Sequence, residues 1–274
     1  MKRLGFIGVG AMGGALAAAA CRQLPGEDVI VFDVMTEKAK AMSASTGCAC
    51  AGSMEEVIDS AAVIMFCIKP QILESVLKTT LPYFKKHYDA GEKRVVASIA
   101  AGYTLEDLTS VFHSAGMNMP VIRLLPNTPV AIGKGLVLFA NNEYATTADV
   151  DDLRDMMQKC GMCEHTEEEL LPIACPVFSC SPAYTYMYIE SLADGSVQIG
   201  MRRDQATKFA AQAVLGAAAM VLETGKHIGQ LKDELSTPGG MTIGGTNIME
   251  QMGFRGAAIQ GILTAYERQD GLAK

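Results

Sequence analysis

A chain of 274 residues, 49% hydrophobic and 19% charged, is long enough to bury a substantial core and divide into two domains, which excludes an intrinsically disordered chain. Its formal net charge of -7 opposes sequence-independent binding to nucleic acid, because such binding needs clustered Lys and Arg to displace counterions from phosphates. The apolar stretch from Leu4 to Ala20 is broken by glycines at turn spacing, and it has neither a cleavage site nor the uninterrupted length of a membrane span, so a soluble cytoplasmic chain is expected.

From Met1 to about Ala140, short apolar runs alternate with helix-periodic stretches. Residues 4–7, 29–32, 63–68, 95–99, 121–125 and 135–139 read as buried strands. This alternation predicts an α/β fold, a doubly wound parallel Rossmann sheet with helices on both faces. From about Glu167 onward only helix-forming runs are found, at residues 182–199, 203–223, 228–235 and 253–268. Two domains are therefore expected, a Rossmann domain over residues 1–164 and an all-helical domain over residues 165–274.

Within the first domain, Gly8-Val9-Gly10-Ala11-Met12-Gly13 directly follows the first strand and opens the helix that runs to about Gln23. In that setting the GxGxxG spacing predicts a dinucleotide site. Gly8 permits the tight turn, Gly10 lets backbone approach a pyrophosphate, and Gly13 allows close packing of helix on strand, with Ala11 and Met12 supplying amides at the helix N-terminus. About twenty residues later, at the end of the second strand, stands Asp33, whose carboxylate suits a ribose 2′-hydroxyl. Its neighbours Val34 and Met35 offer no cation for a 2′-phosphate, which favours NADH over NADPH. The competing reading of Asp33 is a plain surface or capping residue.

Later strand ends carry further candidates. Lys69 and Pro70 follow the third long strand, where Lys69 either bonds a ribose hydroxyl or is a solvated lysine before a helix-starting proline. Ala100, in Ser98-Ile99-Ala100-Ala101-Gly102, leaves room for a nicotinamide ribose. Asn127, between Pro126 and Pro129, either orients the cofactor or binds local backbone.

The eight cysteines sit in apolar runs and read as reduced, buried thiols rather than a disulfide framework. Cys160 and Cys163 form a CxxC followed by His165, with Cys48 and Cys50 as possible further ligands. The better reading makes Gly161 a helix C-cap with a short strand beginning at Cys163, so no metal is expected.

In order along nearly the whole chain, these segments resemble the pyrroline-5-carboxylate reductases: Phe6-Ile7-Gly8 to Gly13, Lys69-Pro70, Ser98 to Gly102, and Pro126-Asn127-Thr128-Pro129. In the helical half, Ser181-Pro182-Ala183-Tyr184 with Ile189 to Asp194, Ala211-Gln212 and Glu223-Thr224-Gly225 resemble the family's dimerising helices. Pro238-Gly239-Gly240-Met241-Thr242-Ile243 resembles its signature around the substrate. Departures from the family lie near that pocket: Ser179-Cys180-Ser181 replaces a glycine-serine-glycine run, Pro172 and Pro176 replace residues usually acidic and small, and Met241 and Thr246 are unusual.

Read without the family, Ser236-Thr237-Pro238-Gly239-Gly240 is a glycine-containing turn before a helix, a nest of amides suited to a carboxylate. The resemblance implies that backbone of Gly239, Gly240 and Met241, with Ser236, binds the substrate carboxylate, and that the Thr242 hydroxyl faces the imine nitrogen as the catalytic contact. It further implies reduction of Δ1-pyrroline-5-carboxylate to L-proline by NADH or NADPH in a homodimer built from the C-terminal helices. Three other readings are a reductase of a related cyclic imine, a non-catalytic dinucleotide-binding paralogue, and a β-hydroxyacid dehydrogenase. The last needs a lysine on the first long helix, and residues 182–199 hold none.

Overall fold

The computed structural model describes residues 1–269. Two compact units are formed, by Met1–Ser179 and by Cys180–Glu267.

In the first unit, strands β1 (Lys2–Ile7), β2 (Val29–Phe32), β3 (Ala49–Cys50), β4 (Ala61–Phe66), β5 (Val95–Ser98), β6 (Val121–Pro126), β7 (Gly135–Asn141) and β8 (Gly161–His165) build one sheet in the order β3-β2-β1-β4-β5-β6-β7-β8. Every neighbouring pair is parallel except β6 and β7. β6 and β7 run antiparallel for a local reason. The connection over residues 127–134 holds only a 3-10 turn at Thr128–Ile132, and a parallel crossover needs roughly a dozen residues or more. β3 spans just Ala49–Cys50, too short to leave a periodicity in the sequence.

Both faces of the sheet are buried, as alternation along β1 shows: Leu4 and Phe6 join one core and Ile7 the other. The first core is covered by α1 (Ala11–Gln23) through Leu16, Ala17, Ala19 and Ala20, by α2 (Thr36–Thr46) through Ala39, and by α6 (Thr147–Met156) through Val150 and Leu153. The second is covered by α3 (Met54–Ser60), α4 (Pro70–Asp89), α5 (Leu105–His113) and α7 (Leu170–Cys175), which contribute Val57, Leu73, Phe84, Phe112 and Leu171. Helix starts follow from local chemistry. Thr104 with Asp107 and Thr146 with Asp149 form capping boxes, and Pro70 occupies the first position of α4.

The compact units divide at 179/180, with Leu171 and Phe178 packed into the second core of the sheet unit. Gly161, expected as an α-helix C-cap, instead follows a 3-10 turn at Gln158–Cys160 and opens β8. A Cβ there would lie 2.2 Å from the Gly135 carbonyl oxygen, so close strand approach selects glycine.

The second unit contains α8 (Ser181–Gln198), α9 (Arg203–Thr224), α10 (Ile228–Glu234), α11 (Met241–Gln251) and α12 (Phe254–Glu267). Ala193 of α8 packs at 1% exposure, as do Ala206 at 1% and Ala210 at 7% on α9. Tyr184 donates to the Gly261 carbonyl at 3.2 Å, and the Tyr188 and Phe254 rings lie 5.6 Å apart. Large apolar side chains such as Tyr186, Met187, Phe209, Leu222 and Ile259 remain more than half exposed. No helix of the described residues is long and apolar enough to cross a membrane.

Candidate functional site

The glycine turn after β1 lies between the carboxyl ends of β2 and β4, where the Gly8 amide donates to the Phe32 carbonyl and the Cys67 amide to the Ile7 carbonyl, both at 2.8 Å. Gly8 has φ +98°, and a Cβ on it would lie 2.5 Å from the Cys67 carbonyl oxygen. A Cβ on Gly13 would lie 2.2 Å from the Gly8 carbonyl oxygen and 2.6 Å from Cys67 Cβ, whereas one on Gly10 would meet nothing within 4 Å. Gly8 and Gly13 are therefore absent side chains that let helix, loop and strand touch, while Gly10 leaves open space at the head of α1. That helix has Gly10 as its N-cap, no side-chain cap and no acidic residue in its first turn. The amides of Ala11, Met12 and Gly13 and the positive end of the helix dipole fit a pyrophosphate.

Asp33 follows β2 and uses both carboxylate oxygens on backbone. Oδ2 accepts the Val9 amide at 2.9 Å and Oδ1 accepts the Met35 amide at 2.8 Å. Each oxygen keeps a second lone pair, so these bonds are compatible with a ribose hydroxyl as a third partner. Val34 and Met35 are 87% and 58% exposed, and the Lys40 amine pairs with Glu37 at 3.3 Å.

Lys69 is exposed and is the N-cap residue of α4, ahead of Pro70. Ala100 is buried beside Ser98, whose hydroxyl oxygen accepts the Ala100 amide at 3.3 Å. Asn127 differs from these. Its Oδ1 accepts the Leu136 amide at 2.9 Å and its Nδ2 donates to the Phe178 carbonyl at 2.9 Å. Of the two roles read from sequence, these bonds describe the backbone one.

The sulfur chemistry of the CxxC is subdued by burial, which pushes the Cys160 thiol up to about 12 and the Cys163 thiol up to about 11. Cys163 Sγ donates to the Met157 carbonyl at 3.4 Å. No group of three His, Cys, Asp or Glu side chains placed to hold a metal occurs among the described residues.

In the second unit, Gly239 has φ +70°, and the Gly240 amide donates to the Thr237 carbonyl at 3.0 Å. This turn delivers Gly240 as the N-cap of α11, again with no side-chain cap and no acid in the first turn. The amides of Met241 and Thr242 thus head the helix without a side-chain acceptor, and both residues are exposed. Ser236 behaves otherwise: its hydroxyl donates to the Lys232 carbonyl at 2.9 Å.

One partly buried ion pair escaped the sequence reading. Glu168 Oε1 accepts from Arg123 Nη1 at 2.8 Å and from the Leu105 amide at 2.7 Å, joining β6, the head of α5 and the approach to α7. The available signal was a single arginine in the apolar run Val121-Ile122-Arg123-Leu124-Leu125.

Residues 168–272 match the family described as pyrroline-5-carboxylate reductase dimerisation, and residues 3–102 match NADP oxidoreductase coenzyme F420-dependent. The chain is 37% identical to pyrroline-5-carboxylate reductase of Escherichia coli (strain K12), covering 100% of this chain and 99% of that one. It is 35% identical to the Glycine max enzyme of the same name, over 98% of this chain and 96% of that one. The solved pyrroline carboxylate reductase of Plasmodium falciparum with NADP bound superposes with a TM-score of 0.83 at 26% identity, covering 100% of this chain and 98% of that one.

Proposed function

This chain belongs to the pyrroline-5-carboxylate reductase family, and from that premise we propose how its residues divide the reaction. The activity is reduction of Δ1-pyrroline-5-carboxylate to L-proline at the expense of a reduced nicotinamide dinucleotide. The observation that carries the assignment is the family match across the full chain, joined to an open, uncapped helix head at Gly10.

When bound, the dinucleotide supplies the hydride. The chain's part is mainly to hold and orient, since hydride transfer to a protonated imine needs little more than near-attack placement of the reacting carbons. Gly8, Gly10, Ala11, Met12 and Gly13 hold the pyrophosphate, with Lys69, Pro70 and Ala100 bordering the nicotinamide side. Asp33 binds the adenosine ribose, and the absence of a cation at Val34 and Met35 favours NADH over NADPH. Gly239 and Met241 offer their amides to the substrate carboxylate, Gly240 shapes the turn with its own amide on the Thr237 carbonyl, and the Thr242 hydroxyl orients the imine nitrogen.

The functional assembly is a homodimer through the helical unit. Five helices whose fully buried apolar side chains are alanines, with Tyr186, Met187, Phe209 and Leu222 more than half exposed, present more apolar surface than a soluble monomer tolerates. Adding pyrroline-5-carboxylate to enzyme and NADH or NADPH tests the activity. The expected result is loss of dinucleotide absorbance matched by proline formation, and binding without oxidation would favour the non-catalytic reading.

A further inference from the structure

Asn127 stands at the carboxyl end of β6, 9% exposed, as the N-cap of the following 3-10 turn. Strand ends on this edge are where open parallel sheets hold ligands, yet the carboxamide is directed at the chain itself. The Asn127 amide donates to the Leu136 carbonyl at 3.2 Å, and the Leu136 amide donates back to Asn127 Oδ1 at 2.9 Å. A side-chain oxygen thus completes the pair that closes the connection between β6 and β7. The fit is tight, since a Cβ on Gly135 would fall 2.8 Å from Oδ1.

The other end of the carboxamide, Nδ2, reaches the Phe178 carbonyl at 2.9 Å. Phe178 lies in a π turn at Pro176–Cys180, between α7 and α8. Pro172, Pro176 and Pro182 lack the amides a continuous helical ladder would use there, and such turns are frequent where function constrains backbone. The helical unit begins at Cys180. The Arg123–Glu168 pair, with Arg123 12% exposed, holds the other end of the same segment to β6 at 2.8 Å.

We infer that Asn127 is a positioning residue of the reductase, its carboxamide tying the ligand-binding edge of the sheet to the Phe178 carbonyl and so holding the turn at Pro176–Cys180 against the end of β6. The inference rests on the reductase reading above. Hydride transfer is sensitive to such anchoring, because a displacement of about 1 Å arising far from the chemistry can cost roughly a hundredfold in rate.

The test uses the full-length enzyme with Asn127→Asp, which keeps the shape and the acceptor for Leu136 but replaces the donor to Phe178 with a carboxylate oxygen. Expected for the folded variant is a dinucleotide Kd within about twofold of wild type and a kcat at least about tenfold lower, with KM for pyrroline-5-carboxylate little changed. A Kd weakened by about tenfold, with or without a lower kcat, would make Asn127 a cofactor ligand and overturn the inference, as would an unchanged kcat. If Asn127→Asp does not fold, Asn127→Ser, whose smaller side chain admits a water to both backbone groups, is compared in the same way. Wild-type turnover separates the two readings: an inactive wild type defeats the reductase reading, whereas an active wild type with an unchanged variant defeats only the role of Asn127.

Discussion

The Asp33 carboxylate accepts the Val9 amide at 2.9 Å, so the residue proposed to bind the ribose also pins the glycine turn. Its second oxygen holds the Met35 amide at 2.8 Å. Asp33→Ser is therefore expected to act twice. Removing the carboxylate relieves repulsion of a 2′-phosphate and narrows or reverses the preference for NADH. Loosening the turn weakens both dinucleotides, by about tenfold for NADH if one charged hydrogen bond of roughly 1.5 kcal/mol is lost. Titrations of wild type and variant with NADH and NADPH check this, and an unmodified enzyme that works equally well or better with NADPH would contradict the ribose role.

Gly10 and Gly13 make opposite forecasts although they belong to one motif. Gly13→Ala forces a Cβ to 2.2 Å from the Gly8 carbonyl oxygen, and is expected to destabilise the fold by about 1–3 kcal/mol. Gly10→Ala meets no protein atom within 4 Å and has an ordinary φ of −66°. It should cost less than about 1 kcal/mol of stability yet weaken dinucleotide binding at least about tenfold, because the methyl occupies pyrophosphate space. Thermal melts paired with binding titrations separate the two; equal dinucleotide affinity in Gly10→Ala and wild type would remove the phosphate from this position.

Thr242 is exposed at the second position of α11, while the N-cap is Gly240 without a side-chain cap. Thr242→Ala should therefore shift stability by no more than about 0.5 kcal/mol. As the partner of the imine nitrogen it should lower kcat/KM about tenfold or more, the loss of one hydrogen bond of roughly 1–3 kcal/mol, with dinucleotide affinity preserved. Unchanged kinetics would take Thr242 out of the mechanism.

Far from the ligand edge, buried His87 bonds Asp59 at 2.6 Å and Glu92 at 2.8 Å. Burial raises the Asp59 carboxyl, but hydrogen bonds from Lys86 and His87 outweigh it and hold the group below its ordinary 3.8. The His87 hydrogen bond, then the charges of His87 and Arg94, hold Glu92 below its ordinary 4.5. Depressed carboxyls contribute stability that is fully present above their unfolded values and lost as pH falls through the folded ones. As pH falls below about 5 the melting temperature of wild type should fall more steeply than that of His87→Gln. Parallel curves would show that the cluster carries no linked stability.

The sequence made the dinucleotide half legible because its signals are local. Buried strands such as Val29–Phe32 are continuous apolar runs, and Gly8, Gly10 and Gly13 stand at a recognisable spacing in one turn, although the Cys67 contacts that select Gly8 and Gly13 come from the end of β4. The antiparallel β7 was not legible from periodicity, since strand direction depends on the length of the connection at residues 127–134 and not on the strand itself. The same limit hid the partners of Asn127 and Glu168, which lie 51 residues away at Phe178 and 45 residues away at Arg123. The bond from the Ser236 hydroxyl to the Lys232 carbonyl was hidden for a simpler reason, since nothing in its neighbours reveals a turn made by the end of α10.

The central claim is that an open dinucleotide cradle and a carboxylate nest serve one cyclic imine acid. Its most direct test is to follow dinucleotide oxidation with pyrroline-5-carboxylate and, in parallel, with 1-pyrroline, which lacks the carboxylate. The account predicts one proline formed per dinucleotide oxidised, and a kcat/KM for 1-pyrroline lower by about a hundredfold, the cost of a charged hydrogen-bonding group of roughly 3 kcal/mol. Dinucleotide binding without oxidation by pyrroline-5-carboxylate, or equal efficiency with both imines, would contradict it.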